Sequence, residues 1–316
     1  MICKHYLELA KIRVTAMVLG TTAVGYLLAA SRPIDWGRLG WVILGTALAA
    51  AGASALNQLL EIERDAKMDR TRGRPLPSGQ ISRPHALAFA LGTGAAGIMI
   101  LNERVNPLTA ALGLANLLLY TSIYTPLKPR TSTSTLVGAV CGAVPPLMGW
   151  AGAGRGLSLG AALLAATLVL WQVPHSLSFV WLYRADYVRA GYRMLPVIDS
   201  TGRLTCLAIV LYALALLPLG LAVTWFGMAG CLFGAASLGL GLGFFLLALQ
   251  LHTSRASRHA RRVFLASLLY LPLLLAVWVA DAPPGGAAAA SAKPQAAATS
   301  QTAGDHAAHG APPAKL

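Results

Sequence analysis

Nine stretches of this chain are apolar: roughly 14–30, 40–58, 86–102, 107–124, 134–152, 157–182, 204–225, 228–250 and 263–280, and none has an Asp, Glu, Lys or Arg in its middle. Each is close to the ~20 residues that a helix needs to cross the hydrocarbon core of a bilayer. Only helices and closed barrels satisfy every backbone polar group in lipid, and the alternating pattern of barrel strands is absent. The chain is therefore predicted to be an all-α polytopic membrane protein. Composition supports this: 56% of the residues are hydrophobic and 11% charged, against roughly 25% charged in soluble domains. A soluble enzyme, a secreted disulfide scaffold and a disordered chain are poor fits to such apolarity. Cys3, Cys141, Cys206 and Cys231 lie far apart with no CxxC pair, so neither a zinc site nor a disulfide framework is expected. Runs such as Ala49-Ala50-Ala51-Gly52-Ala53 let helices approach closely. Met1–Arg13 is polar and mixed, which does not read as a cleaved signal peptide.

The net charge of +14 is unevenly placed. With nine spans, 19 of the 25 Lys and Arg residues fall on the face that carries the amino terminus, and six fall on the other. The positive-inside rule puts the basic face, with the amino terminus, in the cytoplasm and the carboxyl terminus on the opposite side. Topology and attraction to anionic lipid account for the basic excess, and no nucleic-acid partner is needed. Two units are expected: a membrane domain over 1–281 and an Ala/Pro-rich tail over 282–316, too poor in bulky apolar residues to fold alone. His306 and His309 in the tail read as incidental.

Eleven acidic residues occur in the chain, and four of them, Glu61, Glu63, Asp65 and Asp69, lie within nine positions at the basic end of the second span. If the helix runs on, Asn57, Glu61, Asp65 and Asp69 recur every four residues. Each step advances about 6 Å and drifts about 40° round the axis, so one stripe of oxygen ligands results and Glu63 points away. Stacked like charges favour a cation, and Mg²⁺ prefers oxygen ligands shared with substrate phosphates. A solvated helix end pairing with Arg64, Lys67 and Arg70 is the plainer reading, but the scarcity of acid elsewhere favours a metal–diphosphate site. Arg70, Arg72 and Arg74 follow, before Pro75-Leu76-Pro77-Ser78-Gly79 stops the helix. They are either topology anchors or a clamp for diphosphate oxygens, with Arg70 and Arg74 the candidates.

A second polar concentration lies on the same face, in Trp171-Gln172-Val173-Pro174-His175, Tyr183-Arg184-Ala185-Asp186-Tyr187 and Gly191-Tyr192-Arg193-Met194-Leu195-Pro196-Val197. Asp186 and Asp199 are the acids of this loop, and His175 is the one histidine well inside a span. Taken alone, a buried histidine is more often hydrogen-bonded structure than a ligand. Lys128, in Tyr124-Thr125-Pro126-Leu127-Lys128-Pro129-Arg130, suits either phosphate binding or membrane anchoring.

The pattern Asn57-x₃-Glu61-x₃-Asp65, then Met68-x-Arg70-Thr71-x₂-Arg74-Pro75-Leu76, resembles the first acidic motif of the UbiA-type intramembrane prenyltransferases, and most of all their protohaem IX farnesyltransferase (haem O synthase) branch. Trp171-Gln172-x-Pro174-His175 and Asp186-Tyr187…Met194-Leu195-Pro196-Val197 resemble the second motif of that branch, and Gly142-Ala143-x-Pro145-Pro146-x₂-Gly149 its fifth-helix signature. The resemblance runs from about Leu7 to the ninth span. It departs at Lys11-Ile12-Arg13, where the branch has Lys-Pro-Arg, and this reads as a shifted entry to the first helix without lost chemistry. It departs again at Glu61, where many members carry Asp, and at Ile62-Glu63-Arg64.

The resemblance implies nine transmembrane helices around a central cavity open to the cytoplasmic side. It implies transfer of a farnesyl group from farnesyl diphosphate to a vinyl of protohaem IX, with addition of water, giving haem O and diphosphate. Asn57, Glu61, Asp65, Asp69 and Asp186 are then the expected Mg²⁺ ligands, directly or through water, and Arg70 and Arg74 the diphosphate clamp. Lys128 and Arg184 become candidates for the haem propionates, and His175 becomes a haem-facing residue. The enzyme would lie in the cytoplasmic (inner) membrane and hand its product to haem-modifying or oxidase-assembly proteins. A sister enzyme acting on a phenolic or quinone precursor, a transporter and a haem chaperone are the competing readings. Charges collected at one interface, with spans bare but for His175, count against the transporter.

Overall fold

The computed structural model describes residues 2–283, and among these every regular element is a helix. The expected tail, with His306 and His309, lies outside the described residues from 284 onward. A short helix α1 (Ile2–Leu9) precedes nine helices long and apolar enough to cross a membrane. These are α2 (Ile12–Ala29), α3 (Trp36–Leu60), α5 (Arg83–Arg104), a fourth span from Pro107 to Leu127, α8 (Ser134–Gly152), α9 (Leu159–Leu182), α12 (Arg203–Trp225), α13 (Cys231–Ser254) and α14 (Ser257–Ala280). All nine expected spans are present, four of them longer than their apolar stretches by three or more residues, at Trp36–Leu60, Arg83–Arg104, Pro107–Leu127 and Ser257–Ala280. The fourth is composite: α6 (Pro107–Leu118) passes through a π-helical turn at Leu119–Tyr124 into α7 (Thr125–Leu127). The remaining short helices, α4 (Ile62–Asp65), α10 (Arg184–Arg189) and α11 (Leu195–Ile198), all lie in connections on the basic face.

Burial ranks the spans. The apolar windows of α8 and α9 are 61% and 56% buried, against 28% for α5, which puts α8 and α9 at the centre of the bundle. Leucines elsewhere face outward, as on α12 at Leu204, Leu207 and Leu211, where lipid is the solvent. The largest buried cluster joins α8, α9, α12, α13 and α14 around Trp150, Leu164, Leu168, Ile209, Phe233, Phe244 and Trp278.

The fifth-helix signature has a packing role. A Cβ on Gly149 would stand 1.9 Å from the Thr22 carbonyl oxygen, and one on Gly25 2.0 Å from that of Pro146. Helices α2 and α8 therefore touch backbone to backbone, the close approach that small residues allow in membranes. Helices α2, α3, α6 and α8 also enclose a void of about 40 Å³ beside Thr46 and Asn116.

The acidic helix does not run on as far as the sequence suggests. Helix α3 ends at Leu60, Glu61 adopts φ −106° and ψ 7°, and α4 restarts at Ile62 and stops at Asp65. The i→i+4 bonds to Glu61 and Asp65 persist (Glu61 N–H to the Asn57 carbonyl, 3.1 Å; Asp65 N–H to that of Glu61, 2.7 Å). The stripe thus survives through Asn57, Glu61 and Asp65, all at most 5% exposed. Beyond it the Thr71 hydroxyl donates to the Asp65 carbonyl at 2.9 Å and Met68 is buried, so the chain turns. Asp69 falls on an exposed turn rather than on the stripe.

Candidate active site

Burial of several charges at the basic rim is tolerable only if each finds a partner, and the partners define the site. Glu61 accepts hydrogen bonds from the Lys128 ammonium (2.9 and 3.2 Å), the Tyr192 hydroxyl (2.9 Å) and the Asn57 amide nitrogen (2.8 Å). The same amide nitrogen donates to the Thr125 hydroxyl at 3.0 Å, and Thr125 donates through both its backbone N–H and its hydroxyl to the Tyr120 carbonyl at the π-helical turn. Such a turn is a frequent device at functional sites; here it sets Thr125 against Asn57. Asn57's carbonyl oxygen accepts from the Lys11 ammonium at 2.6 Å.

The electrostatics follow from this packing. Burial opposes the charge on Glu61, but the neighbouring Lys128 and Lys11 outweigh it and hold its carboxyl below the usual range. Burial likewise opposes charge on Lys128, and Glu61 reverses that, raising the ammonium well above its ordinary value. Lys11 goes the other way: burial first, then Arg74 and Lys128, bring it down to about 7 despite Glu61 and Asp65. Burial and then the Glu61 carboxylate raise the Tyr192 phenol, which therefore stays a proton donor.

Asp65 accepts from the Arg74 guanidinium at 2.6 Å, with the carboxylate 3% exposed. Asp186, on α10, accepts from the backbone N–H groups of Asp69 (3.4 Å) and Arg70 (3.3 Å). Arg189 bridges the Asp186 and Asp69 carboxylates. The two acidic motifs, over a hundred residues apart, are thereby joined at two points, Tyr192 to Glu61 and Asp186 to the Asp69–Arg70 backbone.

Arg70 does not reach a carboxylate; its guanidinium lies over Phe179 (5.2 Å) and Tyr183 (5.7 Å). Those rings end a row on α9, Trp171, His175, Phe179 and Tyr183, at four-residue steps. Trp171 stacks on His175 at 4.7 Å, Phe179 meets Tyr183 at 4.9 Å, and Phe264 of α14 packs against both His175 and Phe179. His175 is half-buried about 10 Å along the axis from the end of α9, and its Nδ1 is 2.8 Å from the Ser267 hydroxyl. Ser267 also donates to the Phe264 carbonyl at 2.6 Å, a pairing satisfied when Nδ1 carries the proton and the Ser267 oxygen accepts it. Nε2 then keeps a free lone pair, with no hydrogen-bond partner among the described residues. Arg184 turns instead to the carbonyls of Val197 and Asp199 (3.4 Å each), away from the acids of the rim. Asp199 is a helix cap: it accepts from the N–H groups of Gly202 (2.9 Å) and Thr205 (2.8 Å) and from two threonine hydroxyls.

The sequence reading missed Lys11, Arg189 and Tyr192 as site residues. Arg189 was accessible as the (i, i+3) partner of Asp186; Tyr192 and Lys11 act across the fold and carried no local signal. Among the described residues no three His, Cys, Asp or Glu side chains gather at one point; Glu61 and Asp65 each face a separate cation, Lys128 and Arg74. The donors nonetheless suit a hard divalent ion. They are oxygens throughout, with no sulfur or imidazole among them, and the cations that hold them can pass to phosphate oxygens.

Comparison with known proteins places this arrangement. Residues 18–280 match the model of the "UbiA prenyltransferase family". The chain is 42% identical over 289 residues to "Protoheme IX farnesyltransferase" of Solibacter usitatus, covering 89% of this chain and 99% of that one. It is 40% identical over 271 residues to "Protoheme IX farnesyltransferase, mitochondrial" of Arabidopsis thaliana, covering 85% of this chain and 63% of that one, so the plant protein is the longer. A UbiA homologue from Archaeoglobus fulgidus, solved bound to GPP and Mg²⁺, superposes with a TM-score of 0.67 at 16% identity over 87% of this chain and 99% of that one. At that identity the likeness is one of fold.

Proposed function

The chain belongs to the UbiA prenyltransferase family, and from that premise we propose that it transfers a farnesyl group from farnesyl diphosphate to a vinyl group of protohaem IX, giving haem O and diphosphate. The observation that carries this reading is the closure of the two acidic motifs on one rim, through Tyr192–Glu61 and Asp186–Asp69/Arg70, amid Lys11, Lys128, Arg70, Arg74 and Arg189. Relatives about 40% identical carry the same substrate in their names.

In the reaction the bond between the farnesyl C1 and the diphosphate oxygen breaks, and its electron pair leaves with diphosphate. The vinyl π electrons form the new carbon–carbon bond. The carbon next to the macrocycle, left cationic, takes the oxygen of water, which then loses a proton. Asn57, Glu61, Asp65 and Asp186 would hold Mg²⁺ with its waters, while Asp69, exposed on its turn, serves as an outer neighbour. The ion's contribution when bound is to neutralise charge developing on the leaving group. Arg74 and Lys128 turn from carboxylate, and Lys11 from the Asn57 amide oxygen, to phosphate oxygens, preorganised donors of the kind that stabilise a developing anion. Arg70, fixed over Phe179 and Tyr183, marks the mouth where the diphosphate end of the substrate meets the aromatic row. Below it the flat rings offer a surface for a macrocycle, and the His175 Nε2 lone pair faces the haem. Lys128 is better placed for diphosphate than for propionates, since it already sits on Glu61. Arg184, occupied by two carbonyls, supports the loop.

The protein would sit in the inner membrane with the rim on the cytoplasmic side and a cavity opening there, where both anionic substrate ends are soluble. Purified protein in lipid nanodiscs, given farnesyl diphosphate, haem and Mg²⁺, is expected to convert haem to a product heavier by one farnesyl group and one hydroxyl group by mass spectrometry. Prenylation of 4-hydroxybenzoate with haem left unchanged would reject this reading for the sister activity.

A further inference from the structure

Lys11 is not where a membrane anchor would be. With Ala10 it links α1 to α2, in a left-handed conformation (φ 49°, ψ 51°) that a lysine seldom adopts. The junction is fastened to α3 by the residue after Asn57: the Gln58 side chain, wholly buried, donates to the Leu9 carbonyl at 2.7 Å. Leu9 is itself fully buried in a cluster with Ala55, Leu76, Ile81, Ala86 and Ala90. A rigid backbone clamp and an unusual backbone turn therefore deliver one ammonium group inward, onto the Asn57 carbonyl oxygen at 2.6 Å.

That oxygen is the one atom of Asn57 that can ligate a metal. The amide nitrogen is already committed to Glu61 and Thr125, so the side chain cannot flip to offer another. A divalent ion entering the stripe thus meets a cation holding its first ligand. If the ion enters alone, the displaced Lys11 amine stays nearby with no anionic partner, beside Lys128 and Arg74, which disfavour its charged form. If diphosphate enters as well, the ammonium has an anionic oxygen to move to. We propose that Lys11 is a positioning residue that holds Asn57 until a divalent ion and a prenyl diphosphate arrive together, making the binding of each depend on the other.

This inference rests on the metal–diphosphate reading above, and its test separates the two. Mn²⁺ binding to the full-length chain in nanodiscs is measured as metal retained with the nanodiscs at equilibrium dialysis, with and without inorganic diphosphate and at free Mn²⁺ corrected for its soluble diphosphate complex, in wild type and Lys11→Met. In wild type, diphosphate is expected to tighten Mn²⁺ binding at least about tenfold, within the usual range of coupling between two sites. In Lys11→Met, Mn²⁺ alone is expected to bind several-fold tighter, and the gain from diphosphate to shrink to about threefold or less, on the same coupling scale. Lys11→Gln, of similar length and also uncharged, should behave alike and serves if the Met variant fails to fold. Folded variants with wild-type Mn²⁺ affinity and wild-type coupling would overturn the role of Lys11 while leaving the metal site standing. A wild-type chain that binds no Mn²⁺ even with diphosphate would overturn both, and haem farnesylation measured by mass then decides the activity independently.

Discussion

The charged rim has two ends that differ in how they keep their charges. At the inner end, Glu61 and Lys128 are 6% and 12% exposed and are locked into a network with Tyr192, Asn57 and Thr125. At the outer end, Asp69 and Arg189 are 61% and 48% exposed, and Arg189 is shared with Asp186. An exposed pair contributes roughly 0–1 kcal/mol, because water competes for both partners. A buried pair is different. Its assembly roughly breaks even, but removing one partner strands the other charge at a cost of about 3–5 kcal/mol. The inner end is therefore where a cation can be exchanged for another cation but not simply removed, which is what a metal-binding and phosphate-binding site requires.

The sharpest test lies at the centre of this contrast. Asp65→Asn keeps the bulk of a nearly wholly buried side chain and removes the charge that holds Arg74. Prenyl transfer is expected to fall at least about a thousandfold, in line with losing a preorganised charge at a reacting centre, while the protein still inserts and stays helical. Turnover within tenfold of wild type, followed by the mass of haem, would break the assignment of the inner end. Next in size is Lys128→Met, which leaves Glu61 with Tyr192, Asn57 and, as its remaining cation, Lys11 on the far side of Asn57. Unfolding in detergent should show a loss of about 3 kcal/mol. The parallel change at the outer end, Arg189→Met, should cost under about 1 kcal/mol, since Asp186 keeps its two backbone N–H bonds. Equal losses in the two variants would erase the difference between the ends.

Asp199 offers a third way to hold a buried carboxylate, with backbone and hydroxyl donors instead of a cation. Burial works against its charge, but the bonds from Thr205, Thr201 and Gly202 win and hold the carboxyl below the usual range. A depressed carboxyl stabilises the fold at pH values above the unfolded value of about 3.9, and this contribution is lost as the pH falls through the lower folded value. Asp199→Asn keeps an acceptor but removes the charge, so it should cost about 1 kcal/mol at pH 7, the difference between charged and neutral hydrogen bonds, and the gap to wild type should close as the pH falls through the lowered folded value. A gap independent of pH would assign the loss to packing.

The spans were legible because apolar length is a local property, and every one of the nine appears. The stripe was legible as far as Asp65 because the i→i+4 bonds survive the irregular Glu61. It failed at Asp69 because the Thr71 hydroxyl takes the Asp65 carbonyl and turns the chain, a competition between side chain and helix that periodicity does not reveal. The partners of the site were the hardest part. Lys11, Tyr192 and Lys128 reach Glu61 and Asn57 from three separate connections; Lys128 is a phosphate candidate by sequence, but its pairing with Glu61 is not, and nothing in their own neighbourhoods marks Lys11 or Tyr192. Lys11 even looked like a departure from the family pattern without consequence. The Gly142–Gly149 signature was read as a mark of kinship, and the structure gives it a physical cause in the contact of α2 with α8.

The smallest expected effect is also a strict check on the phase of the acidic helix. Glu63 lies two residues from both Glu61 and Asp65, about 200° round the axis from each, and it is exposed, whereas both of those neighbours are buried. Among the described residues it forms no ion pair, so Glu63→Gln removes a charge that no partner depends on. Prenyl transfer and stability should both remain within experimental error of wild type, even though the substitution is chemically the same as one at Glu61. A loss at Glu63 comparable to that at Asp65 would mean that carboxylate position along this segment matters less than total negative charge. The contrast between a buried, partnered stripe and a solvated outer face would then give way to a diffuse electrostatic attraction for divalent ions.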